Sequence, residues 1–198
     1  MFSNNLTMMT DLYELTMMQG YFFEGNEDKV VFDVFYRKNP SGSAYAITCG
    51  LDQVIDYIKN LHFSSEDIDY LHSKNIFDEE FLDYLKDFHF TGDIYAIPEG
   101  TPVFPNEPIL TVKAPAIEAQ LIETFLLLSI NHQSLIATKA NRIVRASQGR
   151  TVLEFGSRRA QGADGAILGA RAAYIGGCAG TACTITDELY GVPAGGTM

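Results

Sequence analysis

The densest chemistry in the chain lies in Glu154-Phe155-Gly156-Ser157-Arg158-Arg159-Ala160-Gln161-Gly162, directly after the apolar run Thr151-Val152-Leu153. An aromatic ring, a glycine and two adjacent guanidinium groups, set where a strand hands over to a helix, suit a flat anion. The ring offers a plane for stacking, an arginine fork matches a carboxylate or phosphate in bidentate geometry, and the glycine lets the backbone turn sharply. On spacing alone a second reading stands level with this one: a strand end whose arginines make only surface ion pairs.

The elements that must hold these groups follow from periodicity. From residue 150 onward the pattern is strand (151–155), glycine turn, helix (162–174), a short strand near Cys178, then helix (181–190), which indicates parallel strands joined by crossover helices. The Phe155-to-Arg159 turn and the Gly180-Thr181-Ala182 turn each follow a strand, which puts both on the carboxyl edge where α/β folds bind ligands. Gly176-Gly177-Cys178-Ala179-Gly180-Thr181 has neither the dinucleotide-binding glycine order nor the Walker lysine. Amides after it are candidates for receiving an anion, with a plain tight turn at least as good a reading. Two strands of such an alternation cannot bury their own faces, and a full barrel takes about 250 residues. The chain is therefore expected to be a partial one, with Gly195-Gly196-Thr197-Met198 falling in a loop.

Upstream the reading is α+β over 1–114, with a strand-rich subdomain at 91–113, and connecting helices over 115–149. Residues 10–25 read as a helix, with Asp11 and Glu14 at capping-box spacing and Tyr13 on the first turn. Residues 30–37 alternate as a strand ended by Asn39-Pro40-Ser41-Gly42. A strand at 45–48, a helix from Leu51 to Leu61 and two acidic helices near 65–73 and 78–88 follow. Pro98, Pro102, Pro105 and Pro108 permit short edge strands but exclude a long central one. Two helices, 118–130 and 133–147, precede residue 150. Lys139 and Arg142, three apart on the second, share a face and are candidates for anion contacts.

Charge narrows the function. The 198 residues carry 14 Lys and Arg against 25 Asp and Glu, a net charge of −11, which argues against nonspecific nucleic-acid or acidic-membrane binding. Yet 7 of those 14 basic residues lie between Lys139 and Arg171, among only 2 acidic ones. A basic island in an acidic protein fits a small anionic ligand, or simply neutralises the acidic half. Cys49, Cys178 and Cys183 are odd in number and form no C-x-x-C pair, so neither a disulfide framework nor a zinc site is signalled. Reduced thiols, no leader-like amino terminus and no apolar run long enough to span a bilayer point to the cytoplasm. His62, His72 and His89 read as surface residues and His132 as a core histidine, and no Ser-His-Asp set is present.

Thr10-Asp11-Leu12-Tyr13-Glu14-Leu15-Thr16-Met17, the segment from Ile130-Asn131-His132-Gln133 to Lys139-Ala140-Asn141-Arg142-Ile143, the Glu154-to-Gly162 run and the closing Gly196-Thr197-Met198 resemble the nicotinate phosphoribosyltransferase family, in the same order over essentially the whole chain. The resemblance implies an α/β fold: the α+β amino-terminal domain, followed over 150–198 by the first strands and helices of an incomplete β/α barrel-like domain. It implies a homodimer with the site shared between subunits. Phe155 would stack on one face of the pyridine ring, Tyr13 of the partner subunit would cover the other, Arg158 would hold the carboxylate and Thr181 would line the pocket. Amide-using relatives carry an aspartate after that threonine; here the residue is Ala182, which favours an acid. The implied reaction joins nicotinate to phosphoribosyl pyrophosphate in NAD salvage, with Mg2+ and with ATP used through a phosphorylated histidine beyond Met198. No motif in this chain encodes either cofactor. The rival reading is an inactive fragment, or a pyridine-carboxylate-binding module lacking the phosphoribosyl and ATP sites.

Overall fold

Helical spacing of apolar residues and β-branched alternation mark out most of the elements. The computed structural model describes residues 5–39 and 42–196. In chain order the elements are α1 (Leu12–Phe23), β1 (Lys29–Val34), β2 (Ala46–Ile47), α2 (Leu51–Lys59), α3 (Ser65–Ser73), α4 (Glu79–Lys86), β3 (Asp93–Ala96), β4 (Pro102–Val103) and β5 (Leu110–Pro115). Then come α5 (Ala116–Leu121), α6 (Glu123–Ala146), β6 (Leu153–Glu154), a 3₁₀ turn (Ser157–Arg159), α7 (Ala163–Ile175), β7 (Gly180–Thr181) and α8 (Thr184–Tyr190). The fold is α/β. Pro40 and Ser41 of the turn read after the first strand, and Thr197 and Met198 of the terminal motif, lie outside the described residues.

Contacts divide the chain into two compact units. One is drawn from Met1–Val34, Asp52–Ala96 and Leu110–Leu128, the other from Phe35–Leu51, Ile97–Ile109 and Ser129–Met198.

In the first unit β5 is the middle of an antiparallel sheet of order β1-β5-β3. It can take that place because Pro108 precedes it and Pro115 ends it, leaving residues 110–114 free to donate to both ladders. The core is aromatic. Tyr57 stacks on Phe125 with ring centroids 4.0 Å apart, and Phe81 is ringed by Phe22, Phe77 and Tyr84. Ser64 and Asp67 form a reciprocal capping box that starts α3. At α1 the expected box is absent. Asp11 makes no side-chain cap, and Glu14 is turned inward and fully buried. Its carboxylate accepts the hydroxyls of Thr10 and Thr124, the latter at 3.1 Å. Burial pushes the Glu14 pKa up, although both hydroxyls pull against it.

The reading of two helices across 118–147 is corrected to one long α6 preceded by the short α5. Nothing at Asn131-His132 breaks a helix, whereas the backbone interrupts at Ile122, where α5 is capped.

In the second unit, α6 and α7 meet through small residues. A Cβ on Gly176 would lie 2.5 Å from the Ala137 carbonyl oxygen and 2.9 Å from the Ala140 Cβ, and buried Ala172 and Ala173 line the same seam. The two-residue β2, paired with β4, is extended by side chains of α6. The Thr138 hydroxyl accepts from Ile47 N at 2.8 Å, and the Ser134 hydroxyl accepts from Cys49 N at 2.9 Å. No helix among the described residues is long and apolar enough to cross a membrane.

Candidate active site

Two short parallel strands carry the arginine turn. β6 pairs with β7 in the register Leu153 with Gly180 and Glu154 with Thr181. Flanking backbone bonds extend the pairing, from Ala179 N to Val152 O at 2.8 Å and from Ala182 N to Glu154 O at 2.9 Å. On the other side of β7, Thr181 bridges Ala194 in parallel, with Thr181 N bonded to Pro193 O and Gly195 N to Thr181 O. Gly195, read as loop, thus follows a third parallel partner. Gly180 admits this close approach because a Cβ there would run into the Pro193 carbonyl oxygen.

Immediately after β6 the chain presents Phe155, whose residue is 43% exposed, and then winds into the 3₁₀ turn that carries Arg158 and Arg159, both exposed. Among the described residues Arg158 makes no ion pair, so its guanidinium is available to an anion. Gly156 is not the sharp turn that its type leads one to expect. Its φ is −90° with ψ −9°, open to any residue. What its lack of a side chain permits is contact: a Cβ would sit 2.6 Å from Glu154 Oε1. The positive φ belongs to Gly162, at +90°, which leads into α7.

Thr181 is completely buried, and its hydroxyl donates to Glu154 Oε2 at 2.6 Å. The Gly180-Thr181 pair is itself strand β7 and not a turn after a strand. Of the amides considered there as anion receivers, three are taken: Thr181 N by Pro193 O, Ala182 N by Glu154 O, and Cys183 N by the Thr181 hydroxyl. Lys139 and Arg142 lie on α6, both exposed. Phe155, Arg158, Thr181, Lys139 and Arg142 all belong to the second unit. Tyr13 belongs to the first, on the opening turn of α1, 49% exposed and with its hydroxyl 3.5 Å from Glu14 Oε1. His62, His72 and His89 are exposed and His132 is half-buried.

Sequence reasoning missed two groups. One is Glu154, detectable as one of only two acids in the basic window. The other is a largely enclosed ion pair between Glu99 and Arg171, 2.6 Å apart, with side chains 18% and 11% exposed. Glu99 Oε1 also accepts from Gly50 N at 2.6 Å and Leu51 N at 3.0 Å, and Arg171 reaches Gln133 at 3.3 Å. Burial pushes the Glu99 pKa up, but the guanidinium and the two amides outweigh it and hold the carboxyl below its ordinary value. Cys49, beside this pair, has its thiol pushed up to about 12 by burial and by the Glu99 charge. Arg171 therefore does not contribute a free cation to the basic window.

Residues 8–131 match the model of the nicotinate phosphoribosyltransferase N-terminal domain. A nicotinate phosphoribosyltransferase of Mycobacterium tuberculosis is 46% identical over 191 residues, 96% of this chain and 41% of that protein. The Bacillus subtilis nicotinate phosphoribosyltransferase is 45% identical over 195 residues, 98% of this chain and 40% of that protein. The crystal structure of human nicotinic acid phosphoribosyltransferase superimposes with a TM-score of 0.88 at 34% identity, covering 96% of this chain and 39% of that one. The chain thus spans about 40% of the length of the curated relatives it matches. With a matching domain model over more than half its residues, the chain belongs to the nicotinate phosphoribosyltransferase family.

Proposed function

We propose that this chain carries the nicotinate-holding part of a nicotinate phosphoribosyltransferase acting in NAD salvage. The reaction joins nicotinate to phosphoribosyl pyrophosphate: the pyridine nitrogen bonds to the anomeric carbon, the carbon–oxygen bond to pyrophosphate breaks, and nicotinate mononucleotide and pyrophosphate result. Positive charge develops on the sugar as the bond breaks, so no protein nucleophile is required. The chain's own residues bind and orient. Phe155 stacks on the ring and Arg158 pairs with the carboxylate, which separates nicotinate from neutral pyridines by a charge-assisted, bidentate contact. Tyr13 of a partner subunit covers the second ring face in a homodimer. Thr181, buried behind Glu154, backs the pocket, and Lys139 and Arg142 are the anion contacts offered by α6.

ATP coupling and a cytoplasmic setting belong to the same reading. A magnesium ion belongs to the family's chemistry as well. Among the described residues, however, no group of three or more His, Cys, Asp and Glu side chains gathers closely enough to hold a metal, so no step is assigned to one.

The observation that carries the proposal is an exposed aromatic ring three residues before an exposed arginine that makes no ion pair among the described residues, at the carboxyl end of a parallel strand. Calorimetric titration of nicotinate into the chain, with nicotinamide as the comparison ligand, tests it. Arg158→Ala is expected to weaken nicotinate binding by at least tenfold, in line with the ~1.5–3 kcal/mol of a hydrogen bond to a charged group. Equal affinity for the acid and the amide, unchanged in Arg158→Ala, would remove the basis of the assignment.

A further inference from the structure

We infer that Glu154 is the positioning residue of the nicotinate turn: its carboxylate clamps the backbone after β6 to the buried Thr181 hydroxyl of β7, and so presents Phe155 and Arg158. The inference rests on the proposed nicotinate reading for what the turn binds, but the clamp itself rests on geometry. Glu154 Oε2 accepts the Thr181 hydroxyl at 2.6 Å, Oε1 accepts Gly156 N, and the Glu154 carbonyl accepts Ala182 N at 2.9 Å. The Thr181 hydroxyl in turn accepts Cys183 N at 3.0 Å, at the cap of α8. One side chain thereby joins the ring-bearing turn, the neighbouring strand and the start of the last helix.

The turn has little else to hold it. Its internal bonds run from Arg159 N to Gly156 O at 2.8 Å and from Ala160 N to Ser157 O at 3.3 Å. It has no side-chain cap, and the buried Ser157 hydroxyl has no hydrogen-bond partner among the described residues. Among the described residues, no side chain other than Glu154 donates to or accepts from residues 155–160. The same geometry explains two further features. Both Glu154 oxygens are engaged by neutral donors, so the carboxylate does not pair with Arg158, four residues on, and among the described residues that guanidinium makes no ion pair. Gly156 suits this arrangement, because a Cβ would press on the Glu154 oxygen that receives the Gly156 amide and push that side chain aside. Glu154 therefore acts through the turn and not on substrate.

The test separates the clamp from general destabilisation. Thr181→Val removes the hydroxyl at nearly constant volume, Thr181→Ser keeps it, and Glu154→Gln sets an amide N–H₂ against donors. Thr181→Val and Glu154→Gln are expected to weaken nicotinate binding roughly tenfold, while Thr181→Ser restores it to within about twofold. Binding as tight in Thr181→Val and Glu154→Gln as in the unsubstituted chain, with Arg158→Ala still defective, overturns the inference. So does equal loss in Thr181→Val and Thr181→Ser.

A ligand-free readout covers the case in which the chain does not bind nicotinate. The sequence has no tryptophan, so Phe155→Trp adds a single indole in the turn. Faster anisotropy decay and greater acrylamide quenching of that indole on adding Glu154→Gln uphold the clamp. Unchanged decay overturns it, whatever the ligand.

Discussion

Removing Arg171 is the sharpest test of the energetics of the second unit. Arg171→Ala leaves the Glu99 carboxylate, only 18% exposed, without its guanidinium and with the Gly50 and Leu51 amides as remaining partners. Breaking a buried pair from one side costs about 3–5 kcal/mol, and the two surviving amide bonds place this case near the lower figure. The stranded acid has an escape, which is to take up a proton. With an ordinary value of 4.5 for a glutamate, protonation at pH 7 costs about 3.4 kcal/mol, and the cost falls by about 1.4 kcal/mol for each pH unit below that. The substitution should therefore cost about 3 kcal/mol at pH 7 and only about 1.4 kcal/mol near pH 5.5. In the unsubstituted chain the sign is the reverse. The Glu99 pKa is held below its ordinary value, so its contribution is complete above about 4.5 and is lost as pH falls through the lowered folded pKa. Urea unfolding followed by far-ultraviolet circular dichroism at the two pH values measures both effects. A loss that is the same at both, or below about 1 kcal/mol at pH 7, refutes the reasoning. Glu99→Gln combined with Arg171→Met should recover most of the stability, since a buried pair replaced on both sides is close to neutral.

Two further perturbations bear on each unit separately. Gly176→Ala places a methyl group 2.5 Å from the Ala137 carbonyl oxygen at a φ that alanine accepts, so the cost is overpacking of the α6–α7 seam, about 1–3 kcal/mol in urea unfolding. No change in the midpoint would mean that the two helices do not approach this closely. In the first unit, burial raises the Glu14 pKa, so the folded state holds this proton more tightly than the unfolded one, and stability falls as pH rises from about 4.5 through the raised value. Glu14→Gln should remove that component of the slope; a stability–pH curve of identical slope in the two chains counts against a buried, proton-retaining Glu14.

Local signals carried much of this protein. The strand–glycine–helix rhythm after residue 150 depends on short-range periodicity, and the parallel pairing of β6 with β7 follows from the connecting helix, which is too long for a hairpin. The Phe155 and Arg158 turn could be picked out because aromatic and guanidinium side chains at a strand end are chemically distinctive wherever they occur. His62, His72 and His89 are exposed, as expected for polar residues in the acidic helical half of the sequence.

Other features depended on partners far away in sequence. Glu14 had the spacing of a capping residue, but Thr124, 110 positions on, draws it into the interior. The sequence reads as two helices over 118–130 and 133–147, yet backbone hydrogen bonding continues through Asn131 and His132 and breaks at Ile122. Glu99 and Arg171, 72 residues apart, meet only once α7 lies against α6 through Ala137, Ala140 and Gly176. The role of Gly156 shows the same limit within three residues. Its type was legible as a sharp turn, but its φ is ordinary, and the space its missing side chain leaves is filled by a Glu154 carboxylate that also accepts from Thr181 on the neighbouring strand. The sequence by itself determined which side chains offer a ring and a charge to a flat anion, and that Phe155 and Arg158 follow a strand, because those depend on residue type and local period. Which carboxylates are buried, which cations are already neutralised and which amides are already bonded was decided by the tertiary structure, because burial and hydrogen-bond pairing are properties of distant segments brought together.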